Sequence, residues 1–413
     1  MKKLIIIISI LSSSVVFAET KNVSINDVAD YVKKQNFEIL TSAQRVYQAK
    51  ETINFNKKNL LPRLNLWTII STPFDWRSAV GIVGDIAPFL VPNNWLRVKQ
   101  SEVLYFAKKE QYRALWANEV MSAKLLYLNV LRDMDFYKIY EEQYFELRNL
   151  VEIVKALQMA GEVPVQVLNF LKIRELQFTE DLRILSNMIF EEQKALNYLM
   201  GFPQEDSVEL ESVTLPVITD LEPIHFETFI FRALNSSPEI NQYVYMKNAL
   251  KYVKKEVWFS FLGASSASRG INGGIFDNIP IQDGLGFGVG PSIRIAKSEG
   301  KVLDIRKEAT SEVIKKSLFN LVKNYNSYIE NIDNQNNRLI LAETNHELIK
   351  AQLLMGERVD PLEVLESITN LLDVKLSLFN YKYDALASTE KLKRMIFNGD
   401  YNKLESSLEE VLK

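Results

Sequence analysis

The 413-residue chain contains no cysteine. This excludes disulfides, thiolate metal centres and a lipid-modified N-terminal cysteine, so packing alone must hold the fold, and the chain is long enough for that. Histidine is nearly absent as well, with only His225 and His346 present. Without thiolates beside them, a conventional zinc cluster cannot be assembled from nearby residues. No nucleophile elbow and no metalloprotease helix occurs. The sequence is therefore read as non-enzymatic, with no cofactor and no resident metal. The net charge is −3, and there is no basic patch of the kind nucleic acid requires. Beyond residue 20 no run of ~18 apolar residues exists, which excludes a later transmembrane helix.

Glycine and proline are missing over long stretches. Neither occurs from Asn94 to Ala160, Val165 to Met200, Lys301 to Met355 or Leu362 to Asn398. Both residues normally punctuate helices, so such intervals predict very long ones. Fully helical, the first would extend ~100 Å at ~1.5 Å per residue. A rod of that length needs neighbours along its whole side. The apolar spacing agrees: Ile314, Leu318, Leu321, Tyr325, Tyr328 and Ile332 alternate steps of four and three, which is a coiled-coil seam. Leu182, Leu185, Ile189, Leu196 and Leu199 keep the same frame, with Glu192 at the skipped position. Additional apolar rows such as Leu125, Leu128 and Leu131 indicate helices touched on more than one side, as in a bundle or cylinder wall.

The chain repeats itself. A first repeat over 19–203 holds a helix, a β-hairpin at 64–90 and a long helical hairpin at 94–200. A linker, 204–224, follows. The second repeat, 225–399, has the same order, with a β-hairpin at 257–295 and a helical hairpin at 301–398, and a tail over 400–413 closes the chain. The helical hairpins turn at Met159-Ala160-Gly161-Glu162-Val163-Pro164 and at Met355-Gly356-Glu357-Arg358-Val359-Asp360-Pro361. Glycine past a helix end and proline at a helix start suit such turns. The second carries one extra residue. The expected fold class is thus mainly α with a small β part: duplicated long helical hairpins plus two β-hairpins.

Residues 1–18 read as a signal peptide, with Lys2 and Lys3 before an apolar stretch and Val16-Phe17-Ala18 as a cleavage tripeptide. Export is the expectation. Strand character appears at Leu64–Ser71 and Ala79–Leu90, and again at Val257–Ser265 and Gly284–Ile295. In Gly284-Leu285-Gly286-Phe287-Gly288-Val289-Gly290 the bulky residues alternate with glycine, giving one apolar face. Four strands do not close a barrel alone. Three chains would supply twelve, each near the ~9–11 residues that cross a bilayer. Trp67 and Trp258 lie where an interfacial belt would sit, and Leu285, Phe287 and Val289 would face lipid. The alternative is a soluble β-subdomain with core aromatics.

The ordered whole resembles the TolC family of trimeric outer-membrane efflux and export channels. The resemblance is carried by Leu60-Leu61-Pro62-Arg63-Leu64-Asn65-Leu66, by Ser237-Pro238-Glu239-Ile240, by Leu196-Asn197-Tyr198-Leu199-Met200-Gly201 and by both glycine-marked turns. It implies a homotrimer with a twelve-strand barrel in outer-membrane lipid and an α-barrel across the periplasm. Residues Phe202–Ile224 and those after Gly399 would form an equatorial belt. The partners would be a periplasmic adaptor and an inner-membrane pump, as in a tripartite efflux pump or type I secretion system, with passive passage of cargo.

The resemblance also places Glu363 and Glu366 as an acidic ring at the periplasmic entrance. The bland reading of that pair is a solvated helix start favoured by the helix dipole. It places Arg358 in a latch that holds the entrance shut. The family's usual acidic partner is replaced here by Gln166, which shifts the expected partner to Asp360 or Glu162. Gly161, Glu162, Val163, Gly356, Glu357 and Val359 become adaptor-contact residues, although the glycines serve equally well as helix caps. A periplasmic coiled-coil scaffold or adaptor without a pore is the alternative function.

Overall fold

In the computed structural model, the described residues are 21–62, 87–206, 208–260, 276, 279–281, 286–355 and 360–402. The duplication shows in the element lengths. The first repeat holds α1 (Val28–Gln35), α2 (Phe37–Lys58), α3 (Pro92–Met159) and α4 (Val165–Met200); the second holds α5 (Phe226–Ser236), α6 (Pro238–Phe259), α7 (Val289–Leu354) and α8 (Pro361–Met395). Helices α2 and α6 both have 22 residues, α3 and α7 have 68 and 66, and α4 and α8 have 36 and 35. The kink before each 22-residue helix is capped alike. Asn36 Oδ1 accepts from the Glu38 and Ile39 amides at 3.0 and 3.1 Å, and Ser237 Oγ accepts from the Ile240 amide at 3.2 Å.

The four long helices pack in the order α4–α3–α8–α7, and the shorter ones continue the layer as α2–α3–α6–α7. Helix α3 is therefore central, while α4 and α7 form the two edges. The largest core cluster gathers Val28, Val32, Ile39, Tyr112, Trp116, Val120, Tyr127, Leu196 and Met200 around the middle of α3. Two three-residue strands, β1 (Lys21–Val23) and β2 (Val208–Leu210), pair in parallel with Lys21 opposite Val208. The Tyr127 hydroxyl lies 2.9 Å from the Val23 carbonyl and 2.6 Å from that of Glu211, which ties both strands to α3. Burial pushes this hydroxyl up to about 12. Beside it Lys124, only 3% exposed, reaches Asp400 at 2.8 Å and Glu390 at 3.4 Å. Two carboxylates thus compensate the buried ammonium and anchor the residues after α8 to α3. Strand β2 and Asp400 lie in the two stretches that the sequence assigns to an equatorial belt.

The expected strands fare differently. Residues 63–86, 261–275 and 282–285 lie outside the described residues, as do the leader and Trp67. Where the ends of the hairpins are described, they are not strands. Val257 and Trp258 belong to the last turn of α6, and Val289–Ile295 to the first turns of α7. Pro88–Leu90 is a short 3-10 turn. The physical reason is a seam of period near 3.5 that the alternating residues extend. Met246, Ala249, Val253 and Val257 continue one helix face, and Val289, Ile293, Ala296, Gly300 and Leu303 continue another. The two faces meet at Gly300, where a Cβ would already lie 3.4 Å from Leu250. The second long helix therefore starts at Val289 rather than Lys301, and the first at Pro92 rather than Asn94.

Candidate functional site

Chemistry-bearing residues concentrate at the turn ends of the two helical hairpins. The first turn is a Schellman closure. Gly161 adopts φ +78°, its amide bonds the Gln158 carbonyl at 3.0 Å, and the Glu162 amide bonds that of Leu157 at 3.0 Å. Pro164 then caps α4. Gly161 and Glu162 are exposed, whereas Val163 is half-buried against the cluster formed by Leu147, Leu150, Leu168, Leu171 and Ile368. Met159 and Met355 stand out from the two helix ends into solvent. In the second turn, Gly356, Glu357, Arg358 and Val359 lie outside the described residues.

Asp360 is the N-cap of α8, and its Oδ1 accepts from the Leu362 amide at 3.0 Å. Its carboxylate thus serves its own helix, a local role the sequence assignment to a latch did not include. Gln166 is exposed on the first turn of α4, and Glu363 and Glu366 are exposed on the first two turns of α8. The two glutamates are i and i+3 and share a helix face. Trp258 is exposed on helix α6 rather than on a strand, and Val289 packs partly buried in the α6–α7 cluster. Phe287 is fully exposed in the turn before α7. Leu285 lies outside the described residues.

The most elaborate polar cluster was not singled out in the sequence. A groove of about 670 Å³ between α3, α7 and α8 is lined by Glu142, Gln143, Glu146, Glu343, His346 and Glu347, among others. His346 is 4% exposed. Its Nδ1 lies 3.0 Å from Ser367 Oγ, and its Nε2 lies 2.8 Å from Glu146 Oε2. Lys350 Nζ holds the other Glu146 oxygen at 2.9 Å. The hydrogen bond from His346, joined by Lys350, pulls the Glu146 carboxyl down to about 2 against the opposing effect of burial. Among the described residues no group of three or more His, Asp or Glu side chains converges to hold a metal ion.

Higher along the rod, Glu192 of α4 faces Asp133 of α3. Asp133 is 1% exposed and is held by Arg132 Nε at 2.9 Å. Burial, reinforced by Asp133, pushes the Glu192 carboxyl up to about 7. The skipped seam position in the sequence was the signal for this pair, since an acid in an apolar frame demands a partner.

No protein-family model matches the sequence, and no curated protein matches it significantly. Solved structures do match the fold. The Campylobacter jejuni CmeC outer-membrane channel superposes with a TM-score of 0.68 at 14% identity, covering 93% of this chain and 89% of that one. The outer-membrane protein VceC of Vibrio cholerae gives 0.70 at 13% identity, covering 91% and 96%. The open state of the Neisseria gonorrhoeae MtrE outer-membrane channel gives 0.65 at 11% identity, covering 91% and 89%. The chain has the fold of these outer-membrane channels over nearly its full length.

Proposed function

We propose that three copies of this chain close into a tube that lets the substrates of a periplasmic adaptor and inner-membrane pump leave through the outer membrane. The observation that carries the reading is the pair of edges. Helix α4 buries Leu168, Leu171, Phe178, Leu185 and Leu196 inward, and it exposes Phe170, Ile173, Leu176, Ile184 and Met188 on the opposite side. Helix α7 likewise exposes Ile305, Leu341 and Leu348 on the side away from α8 and α6, whereas Phe319 rests edge-on against Phe226 of α5. Leu176 and Leu341 are 69% and 70% exposed. Apolar stripes of this length do not stay in water. One edge differs from the other, so joining them is head-to-tail packing, which ends only by closing a ring.

The fold shared with outer-membrane channels supports the outer-membrane location and a periplasmic rod. No described helix is long and apolar enough to cross a membrane. Conduction is passive in this reading, with the energy supplied by the inner-membrane pump. Drug efflux, metal efflux and type I protein secretion all fit, since the pump selects the cargo. The turns around Gly161 and Pro361 are the proposed adaptor contacts, and Glu363 and Glu366 the proposed entrance ring. The test is fractionation followed by gel electrophoresis with and without heating. A heat-sensitive trimer in the outer membrane is expected; a soluble periplasmic monomer overturns the reading.

A further inference from the structure

Gln143 interrupts an apolar stripe. Ile139, Leu147, Leu150 and Val154 bury one face of α3, and Gln143 holds the position on that face between Ile139 and Leu147. It is 3% exposed, yet its Oε1 has no hydrogen-bond partner among the described residues. A carbonyl oxygen stripped of water and left unpaired destabilises the fold around it, so native proteins satisfy nearly all such atoms. The side chain lines the groove between α3, α7 and α8. Its acceptor is therefore open to a donor that enters from that groove.

The rest of the groove selects the donor. One wall carries Glu142 and Glu146 of α3, and the other carries Glu343 and Glu347 of α7. Within each pair the residues are four apart, so carboxylates repeat about every 6 Å along the wall. Lys350 and His346 already engage Glu146, and Lys375 stands 3.7 Å from Glu142. Glu343 and Glu347 are exposed, and among the described residues neither has a cationic side chain within ion-pair distance. Carboxylates outnumber lysine ammonium groups, so the groove favours a cation. Phe145 presents a half-exposed ring at its side, and the buried Leu371 gives it an apolar floor. The carboxylates are spread along two walls and do not converge on one point. That spread suits a ligand whose own charges are spread, rather than a compact metal ion.

We propose that this groove binds a linear polyamine, a chain of ammonium groups separated by short methylene spacers. One ammonium donates to Gln143 Oε1, and others lie along Glu343 and Glu347. The methylenes cover Leu371 and the ring of Phe145, whose face also attracts an ammonium. The spacing of charge in such a molecule is close to one helical turn, which matches the carboxylates of each wall. Every residue of the site belongs to one chain. Leu341 and Leu348 of the proposed edge project from another side of α7. The site therefore does not depend on closure into a tube.

Calorimetric titration of the full chain in detergent with spermidine, at physiological ionic strength, tests it. One saturable site per chain is expected. Gln143→Leu restores the apolar stripe and should weaken binding about tenfold or more, as for loss of one hydrogen bond to a charged group. Glu343→Gln combined with Glu347→Gln should do the same. Glu308→Gln combined with Glu312→Gln removes as much charge from α7 about 45 Å away and should leave binding unchanged. Circular dichroism reports that each variant is folded. Absence of saturable binding to the wild type, or unchanged binding in Gln143→Leu, overturns the proposal. So does equal weakening by the distant pair, or displacement of spermidine by magnesium at equal charge, since either marks a diffuse counterion layer. The heat-sensitive trimer is read on the same samples. A trimer that binds no spermidine removes only the site, and a monomer that binds it removes only the tube.

Discussion

Gly201 and Phe397 occupy the same position in the two repeats, and both are left-handed. Gly201 has φ +73° and Phe397 φ +50°, each donating its amide to the carbonyl three residues back, while the next amide reaches five back. The reasons for the two residues differ. Gly201 is pressed against the backbone of Gln35, where a Cβ would collide. Phe397 accepts the strained conformation because its ring is buried, with the guanidiniums of Arg113 and Arg394 over its face at 4.5 and 5.5 Å.

Both positions should therefore be intolerant, for opposite causes. Gly201→Ala adds a left-handed penalty of about 1–2 kcal/mol and a backbone collision. Phe397→Gly relieves a similar penalty but removes an aromatic whose truncation costs about 3–5 kcal/mol, so it too destabilises. Thermal melting of the purified protein should show both variants lowered, with Phe397→Ala the lowest because it keeps the strained backbone and loses the ring. A Phe397→Gly protein more stable than wild type would show that the strain, not the ring, dominates.

The edges make a different prediction. Leu176→Glu and Leu341→Glu change side chains that are exposed in the single chain, so the helices should form normally. Assembly should fail in each, giving a folded monomer by light scattering and wild-type helicity by circular dichroism. Trimers of unchanged stability would place the contact between chains elsewhere.

Glu192 supplies a pH dependence with a definite sign. Its folded value of about 7 lies above the ordinary glutamate value of about 4.3, so the folded chain binds the extra proton. That contribution is complete below about 4.3 and is lost as the pH rises through about 7. Glu192→Leu fills the skipped seam position and removes the titration. The variant should melt higher than wild type at pH 8, and the gap should narrow at pH 5. A gap independent of pH would mean that Glu192 does not share its surroundings with Asp133 as the side chains are placed.

The long helices were legible because their signal is redundant: Gly/Pro-free intervals, three-four spacing and a repeat all report the same rods. The turns were legible because Gly161 and Pro361 are local chemistry. The ends of α6 and α7 were misread because Val257 and Val289 satisfy period two over a few residues and a helical seam over many, and only the longer window decides. The β1–β2 pair was invisible, since three residues are too few to show alternation. The His346 cluster could not be read either. Its members come from three helices more than 200 residues apart in the chain between Glu146 and Lys350, and lone histidines carry no spacing. Only the skipped position at Glu192 hinted at a buried polar contact.

Glu363 and Glu366 form the last test, because they separate a ring from a cap. The helix start is already capped by Asp360, whose side chain serves the Leu362 amide, and both glutamates point to solvent. Neither is engaged by any ion pair among the described residues. In a three-fold assembly each would become three carboxylates facing one axis, a geometry that binds multivalent cations and is blocked by them. Replacing both with alanine should leave the melting temperature nearly unchanged, since an exposed acid at a helix start contributes about 0.3–1 kcal/mol. The same variant should weaken cation block of single-channel conductance severalfold. Block that persists unchanged would assign the pair to the helix dipole alone and move the entrance away from the start of α8.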